Sequence, residues 1–414
     1  MSPRAAIGLR DALVAALIIG LAFSITLSET SLVALATWLV WTRYGRLGSR
    51  ATWPLLVPLL AFAAWSLVSA ALSAAPSESL RSTKTLLPLA TLWVVFGVID
   101  DAAAARRFVS WLLWALGAVA VVSIVQVATC APTRLDAYDP SLPPVVRSVF
   151  GKCRRAHGFY SIYMTLGGVL VVALTSMLPV IAAAGRRGIA IAVPWATSAV
   201  ALALTLVRGA WLGFGAGILV ALAGVRRRWI AVAAVAVVAA FLVAVPRVRE
   251  RAETIGDPAD ATTRERLAMA DAGLRMLREH PLTGVGIGGV KRLYPVYAPP
   301  QAMRRHTSHL HNTPLQIAVE RGLVGLALWL WIFGAFFVRA GGLLRRVPAI
   351  GAADRALVIG ALAAVTSFLV GGLFEYNFGD TEVLLVTLAV MALPFIVERD
   401  LAGHDVRDLA GRTA

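Results

Sequence analysis

Apolar runs of about 16 to 22 residues recur along most of the chain, each long enough as a helix to cross a hydrocarbon core of roughly 30 Å. Lipid cannot satisfy an open backbone, so a closed helix is the form such runs take. The pattern predicts an all-α, polytopic membrane protein of about twelve transmembrane helices. The spans are 12–27, 29–43, 52–73, 85–100, 107–129, 158–183, 188–206, 209–224, 229–246, 322–338, 355–373 and 382–397. Arg4 and Arg10 precede the first span as they would in a signal peptide. No clear small-residue cleavage site follows it, so we read a retained helix.

The polar stretches between the spans give a direction, because short cytoplasmic loops collect Lys and Arg. With the N-terminus inside, the inner loops carry Arg43, Arg46 and Arg50, then Arg106 and Arg107, Arg186 and Arg187, Arg226 to Arg228, and Arg345 and Arg346. Two long loops, 130–157 and 247–321, then lie outside, where long segments are translocated whatever their charge. The chain divides accordingly into helices one to five (1–129), a loop (130–157), helices six to nine (158–246), a large helix-containing loop (247–321), helices ten to twelve (322–397) and an inner tail (398–414).

Composition supports lipid as the main solvent: 58% of residues are apolar and the mean hydropathy is +0.76, against roughly 45–50% apolar residues in soluble domains. The net charge of +16 is spread through membrane loops without a nucleic-acid motif. Topology and contact with anionic membrane lipid account for most of it, and no nucleic-acid partner is expected. The two cysteines, Cys130 and Cys153, share the first outer loop. An oxidising compartment lets them pair; a pair of unrelated thiols is the alternative. The His and Cys residues form no zinc-type cluster, so neither a metal nor another cofactor is expected.

Topology leaves the arginines of the outer side unexplained. Arg208 stands between two apolar spans with almost no loop between them. Such an arginine either anchors among lipid headgroups or, if Gly209 makes a tight reversal, points into a protein cavity. Residues 262–279 read as an amphipathic helix capped by Thr262 or Thr263, with Arg266 in its first turn. Arg264, Arg275 and Arg278 fit a solvated face of that helix. The glycine run that follows, His280 to Gly289, lacks the preceding strand and the Lys-Ser pair of a phosphate-binding loop and reads as an irregular turn. Next come Arg304, Arg305, His306, His309 and His311. Their spacing supports a metal site only weakly. A histidine with an unperturbed pKa of about 6.5 acting as general base is the sharper reading. His311 lies near a helix start, with Pro314 in its first turn.

The string His309, Leu310, His311, Asn312, followed by Gln316, Glu320, Gly322 and Gly325, resembles the H-x-H-N and G-x-x-G elements of the O-antigen ligase and polymerase superfamily. Arg208, Gly209 and Trp211 resemble its R-G-x-W element. Arg266 and Leu267, with His280 to Gly286, resemble its R-L…HPLTGVG element, and Arg155, Gly158 and Phe159 its R-x-x-G-F element. The resemblance covers roughly residues 150–330, and its specificity comes from order and spacing together.

The resemblance implies an integral-membrane glycosyltransferase of the bacterial inner membrane, with both termini cytoplasmic and the site periplasmic. Its substrate would be a glycan on undecaprenyl pyrophosphate and its acceptor, for a ligase, lipid A-core. A lipid-linked repeat (polymerase) or a protein Ser/Thr (O-oligosaccharyltransferase) are the alternatives, and a twelve-helix lipid or polysaccharide transporter is the rival class. Arg208 and Arg266, with Arg155 as a third, are expected to bind the pyrophosphate through fixed, bidentate donors, without metal. His311 is expected to activate the acceptor hydroxyl, with Asn312 orienting it, His309 as the second-choice base, and Glu320 pairing with an arginine.

Overall fold

A computed structural model describes residues 3–43, 53–130, 153–185, 188–224, 232, 236, 244–346 and 351–412, and these are all-helical, with no strand among them. The helices are α1 (Pro3–Phe23), α2 (Ile25–Arg43), α3 (Leu56–Leu72), α4 (Pro76–Ser82), α5 (Thr91–Val98), α6 (Ala102–Ala128), α7 (Tyr163–Ala183), α8 (Gly188–Leu204) and α9 (Arg208–Gly224). After these come α10 (Pro246–Glu253), α11 (Ala261–Glu279), α12 (Gly289–Tyr297), α13 (Thr313–Arg346), α14 (Ala352–Gly372) and α15 (Thr381–Arg412).

Among the described residues seven helices, α1, α2, α6, α7, α13, α14 and α15, are long and apolar enough to cross a membrane. Three shorter apolar helices, α3, α8 and α9, lie beside them. The expected count of twelve is not confirmed among the described residues. The span expected at 85–100 is not one α-helix: Thr83–Ala90 winds as a 3₁₀ helix containing Pro88 and passes into α5. Pro88 has no N–H to give and its ring crowds the preceding turn, which disfavours a continuous α-helix. A 3₁₀ turn rises about 2.0 Å per residue, so the two pieces together still reach roughly 28 Å. The span expected at 229–246 falls outside the described residues apart from 232, 236 and 244–246.

Burial orders the bundle. The apolar window of α7 is 89% buried and that of α15 83%, against 22% for α1 and 28% for α2. Large apolar side chains on the outer helices stand exposed, among them Trp41, Leu72, Trp111, Ile189, Leu219 and Val338. That is the surface expected of a protein whose surroundings are apolar. At one end of the bundle Arg10 pairs with Asp100, Arg106 with Asp354 and Arg339 with Glu398. The other end carries the turn before α7, the turn between α8 and α9, α10 to α12, and the link from α14 to α15. The disulfide Cys130–Cys153, with Cα atoms 5.3 Å apart, ties the end of α6 to the approach to α7.

α9 packs against α14 and α7 through glycines spaced four residues apart. A Cβ on Gly213 would come within 2.6 Å of the Ser367 carbonyl oxygen, and one on Gly217 within 2.7 Å of Thr175 and 2.9 Å of the Ala363 carbonyl oxygen. Small residues at such crossings let backbones approach closely where lipid supplies no hydrophobic drive. Gly217→Val should thus force the helices apart at a cost of about 1–3 kcal/mol. We expect the melting temperature in detergent to fall by several degrees. Gly215→Val, where nothing lies within 4 Å of the added Cβ, should leave it unchanged.

The glycine run forms a joint with α13. α13 is broken at Gly322 (φ 70°), and a side chain there would run into the Leu282 carbonyl. The break frees carbonyls that would otherwise accept within the helix, and each finds a donor from elsewhere in the chain. Val285 and Gly286 N–H donate to the carbonyls of Val319 and Glu320 at 2.9 and 3.0 Å. Trp65 Nε1 donates to Arg321 O at 2.8 Å, and Ser69 Oγ bridges Thr283 O and Glu320 O. Glu320 pairs with Arg321 at 3.1 Å and accepts from Gly288 N–H at 2.8 Å. Its carboxylate thus helps to hold the joint together, in agreement with the arginine pairing expected of it.

Candidate active site

Three helices open their N-termini onto one cavity of about 300 Å³ and a fourth begins beside it. Tyr163 and Met164 of α7, Arg208 of α9, and Ala261 and Thr262 of α11 line it; α13 starts two residues after His311, which also lines it. First-turn N–H groups and the positive ends of helix dipoles favour an anion at such a place. Five arginines add to this field, Arg155, Arg208, Arg251, Arg266 and Arg304, against the two lining carboxylates Glu265 and Glu375.

Arg208 turns into the protein, not toward headgroups, and is 7% exposed. The reversal before it is made by Leu206 in the left-handed region (φ 56°). Gly209, which could have allowed a tight reversal, lies inside α9 and lets Phe374 approach: an added Cβ would come within 2.6 Å of the Phe374 Cβ. The Arg208 guanidinium donates to Asp260 Oδ2 at 2.6 Å and to Thr254 Oγ1 at 2.9 Å. Asp260, in place of the expected Thr262 or Thr263, caps α11 by accepting from Thr263 N–H. Burial works to raise the Asp260 pKa. The hydrogen bonds from Arg208 and from Thr263 N–H, together with the charges of Arg208 and Arg251, outweigh it and bring it down to about 2. One carboxylate therefore fixes both the first guanidinium and the start of the helix that carries the second.

Arg266 reaches Glu375 Oε1 at 2.5 Å, and His311 Nδ1 stands 2.7 Å from Glu375 Oε2. A single buried carboxylate joins the arginine and the histidine, and it leaves Nε2 as the ring nitrogen with no part in that bond. His311 is one of three non-glycine residues with positive φ among the described residues (49°). Its neighbours hold it there: Leu310 N–H donates to Gln316 Oε1 at 2.8 Å, and Asn312 is anchored on both sides. Backbone of this kind persists where the surroundings over-determine it, as they do at functional sites.

The Arg155 guanidinium lies 4.4 Å from the centroid of the Tyr163 ring. Arg304 forms part of the rim, where Glu265 accepts from the N–H groups of Met303 and Arg304 at 2.9 and 3.3 Å. Arg251 approaches Asp260 at 3.4 Å, and its Nε is buried with no partner among the described residues. Burial, then the charges of Arg208 and Arg155, pull the Arg251 pKa down from that of a free arginine.

The cavity thus brings together Arg155, Arg208, Arg266 and His311. Asn312 and His309 are not among its lining residues. The Asn312 side chain caps α13 by accepting from Leu315 N–H and crosslinks to Leu373 O, so it is occupied with backbone and not with the imidazole. His309 stands edge-on to His311, ring centroids 4.4 Å apart, on the far side from the arginines. No group of three or more His, Cys, Asp or Glu among the described residues is placed to hold a metal ion.

Sequence reasoning missed Glu375, Asp260, Glu265 and Arg251. Glu375 carried a signal, since a carboxylate in the short link Phe374 to Asp380 between two apolar helices needs a cationic partner. Arg251 carried another, as one of three arginines in Pro246–Glu253 on the side where loop charge runs against them.

Residues 193–330 match the family model described as O-antigen ligase. Over those residues the chain is similar to the O-antigen ligase and polymerase superfamily. The family so described comprises glycosyltransferase-like enzymes, and the match together with the seven long apolar helices supports a multi-pass membrane protein. No curated protein matches it. The stretch that matches the superfamily holds Arg208, Arg251, Arg266, Arg304 and His311, while Arg155, Tyr163 and Glu375 complete the cavity from outside it.

Proposed function

We propose that this protein is an O-antigen ligase, moving a glycan from undecaprenyl pyrophosphate to a sugar hydroxyl of lipid A-core at the periplasmic face of the bacterial inner membrane. The observation that carries this reading is the cavity that guanidiniums from five separate segments line together with His311. Pyrophosphate is the anion that such a set suits: as the anomeric C–O bond breaks, its electron pair passes to the pyrophosphate oxygen, and Arg208, Arg266 and Arg155 stabilise that charge through fixed donors without a metal. The acceptor oxygen attacks the anomeric carbon from the opposite side and its proton passes to His311 Nε2. One displacement inverts the configuration. The basic inner loops support a topology with both termini in the cytoplasm, and the Cys130–Cys153 disulfide supports an oxidising compartment on the site's side.

The test offers the purified protein in vesicles undecaprenyl-pyrophosphate-linked glycan together with lipid A-core, a second lipid-linked repeat or a Ser/Thr peptide in turn. We expect glycosylated lipid A-core and released undecaprenyl pyrophosphate, with chelator present or absent. Transfer only to the repeat identifies a polymerase, and transfer only to peptide an oligosaccharyltransferase. Passage of the lipid-linked glycan between leaflets with no transfer to any acceptor overturns the enzyme reading in favour of a transporter.

A further inference from the structure

A second cavity, of about 130 Å³, adjoins the first and shares two of its walls, Met164 and Glu375. Its other lining residues are Ile162, His309, Tyr376, Asn377, Gly379 and Asp380. The chemistry changes abruptly across Glu375. On one side five arginines line the cavity; on the other none does, and two carboxylates, a carboxamide and an imidazole take their place beside an aromatic ring. A pyrophosphate would meet Glu375 and Asp380 there and be repelled. A neutral polyol suits it: carboxylate and amide oxygens accept from hydroxyls, the amide also donates, and a ring offers an apolar face to sugar C–H groups.

We propose that this second cavity is the acceptor subsite, which binds the sugar ring whose hydroxyl attacks the donor; the inference rests on the glycosyl-transfer reading above. Its walls are set firmly. Asp380 accepts from Thr165 Oγ1 at 2.6 Å and from Val383 N–H at 3.3 Å. The His309 ring lies 6.0 Å from that of Tyr376 and 4.4 Å from that of His311. His309 Nδ1 is buried and has no hydrogen-bond partner in any other described residue, a polar atom left unsatisfied beside the cavity. Burial, then the neighbouring His311, hold the His309 pKa down at about 4, so near neutral pH the ring is an uncharged hydrogen-bonding group suited to a hydroxyl. A sugar held here meets the arginine cavity across Glu375, and the wall residue His309 stands 4.4 Å, ring to ring, from His311, the base to which the sugar's proton must go. His309, expected from sequence as a second-choice base, becomes a residue that selects and orients the acceptor.

The test measures two constants separately on His309→Gln and Asn377→Ala: the Kd for undecaprenyl pyrophosphate, which reads the arginine cavity, and the KM for lipid A-core. We expect the acceptor KM to rise at least tenfold in both variants while the donor Kd stays within twofold of wild type. If lipid A-core is not used, the same KM is read with a lipid-linked repeat, which also presents sugar hydroxyls. An acceptor KM within twofold of wild type in both folded variants overturns the subsite, as does a donor Kd that weakens as much as the KM rises. Arg266→Ala serves as the reference: if donor binding survives that change, the reading of the arginine cavity fails instead. Transfer to neither sugar acceptor overturns both.

Discussion

Replacing Arg266 by alanine should abolish glycan transfer and weaken binding of undecaprenyl pyrophosphate by ten- to a hundredfold or more. The side chain lines the cavity and is 24% exposed, so it reaches a bound anion without first being unburied. A charge-assisted hydrogen bond is worth about 1.5–3 kcal/mol, and each 1.4 kcal/mol is tenfold in affinity. Lysine should restore the charge but little of the transfer, because an ammonium cannot give a phosphate two parallel donors. Arg208→Ala should match the loss and add a second effect. It leaves Asp260 without its closest cation, so the start of α11 loosens and the melting temperature falls as well. Calorimetry with undecaprenyl pyrophosphate in detergent, run beside the transfer assay, separates the two variants. Donor affinity within twofold of wild type in Arg266→Ala would show that the arginines are structural.

The second large effect belongs to a residue outside the matched family stretch. Glu375→Gln should lower kcat roughly 10²- to 10³-fold, within the roughly 10²- to 10⁴-fold that general acid–base catalysis contributes, while donor affinity holds or improves. The amide keeps the shape of the carboxylate but cannot balance the positive charge that appears on His311 when it takes the acceptor's proton. It also releases Arg266 from an ion pair, leaving that guanidinium free for the pyrophosphate. A merely architectural glutamate would lower kcat and donor affinity together. His311→Ala should cost at least as much, and the double variant little more than either, because groups that act as one unit lose their effect once. Additive losses in the double variant would separate Glu375 from the histidine.

The spans were legible because lipid imposes a length and an apolar character that few other constraints mimic. The expectation failed where backbone chemistry outweighed hydropathy. Pro88 turned an apolar stretch into 3₁₀ helix, and Leu206, not Gly209, took the left-handed turn before Arg208. Arg208, Arg266 and His311 were legible because each is a polar group placed where topology gives it no reason to be. Their partners were not, since pairing across the bundle has no local signature: Glu375 lies 64 residues from His311 and 109 from Arg266. The cap of α11 went to Asp260 over Thr262 and Thr263, because only Asp260 satisfies the helix start and Arg208 at once.

The matched stretch ends at residue 330, yet the arginine cavity draws on walls from Arg155 to Glu375, and the joint at Gly322 takes its donors from Trp65 and Ser69 of α3. This bears on how such a chain can be recombined. A graft limited to the recognisable stretch would carry Arg266 and His311 away from the carboxylate that joins them, and would set the released carbonyls of α13 against a foreign α3. The exchangeable module is larger than the recognisable one: a working chimera needs at least α3 and everything from Cys130 to the start of α15 to come from a single parent.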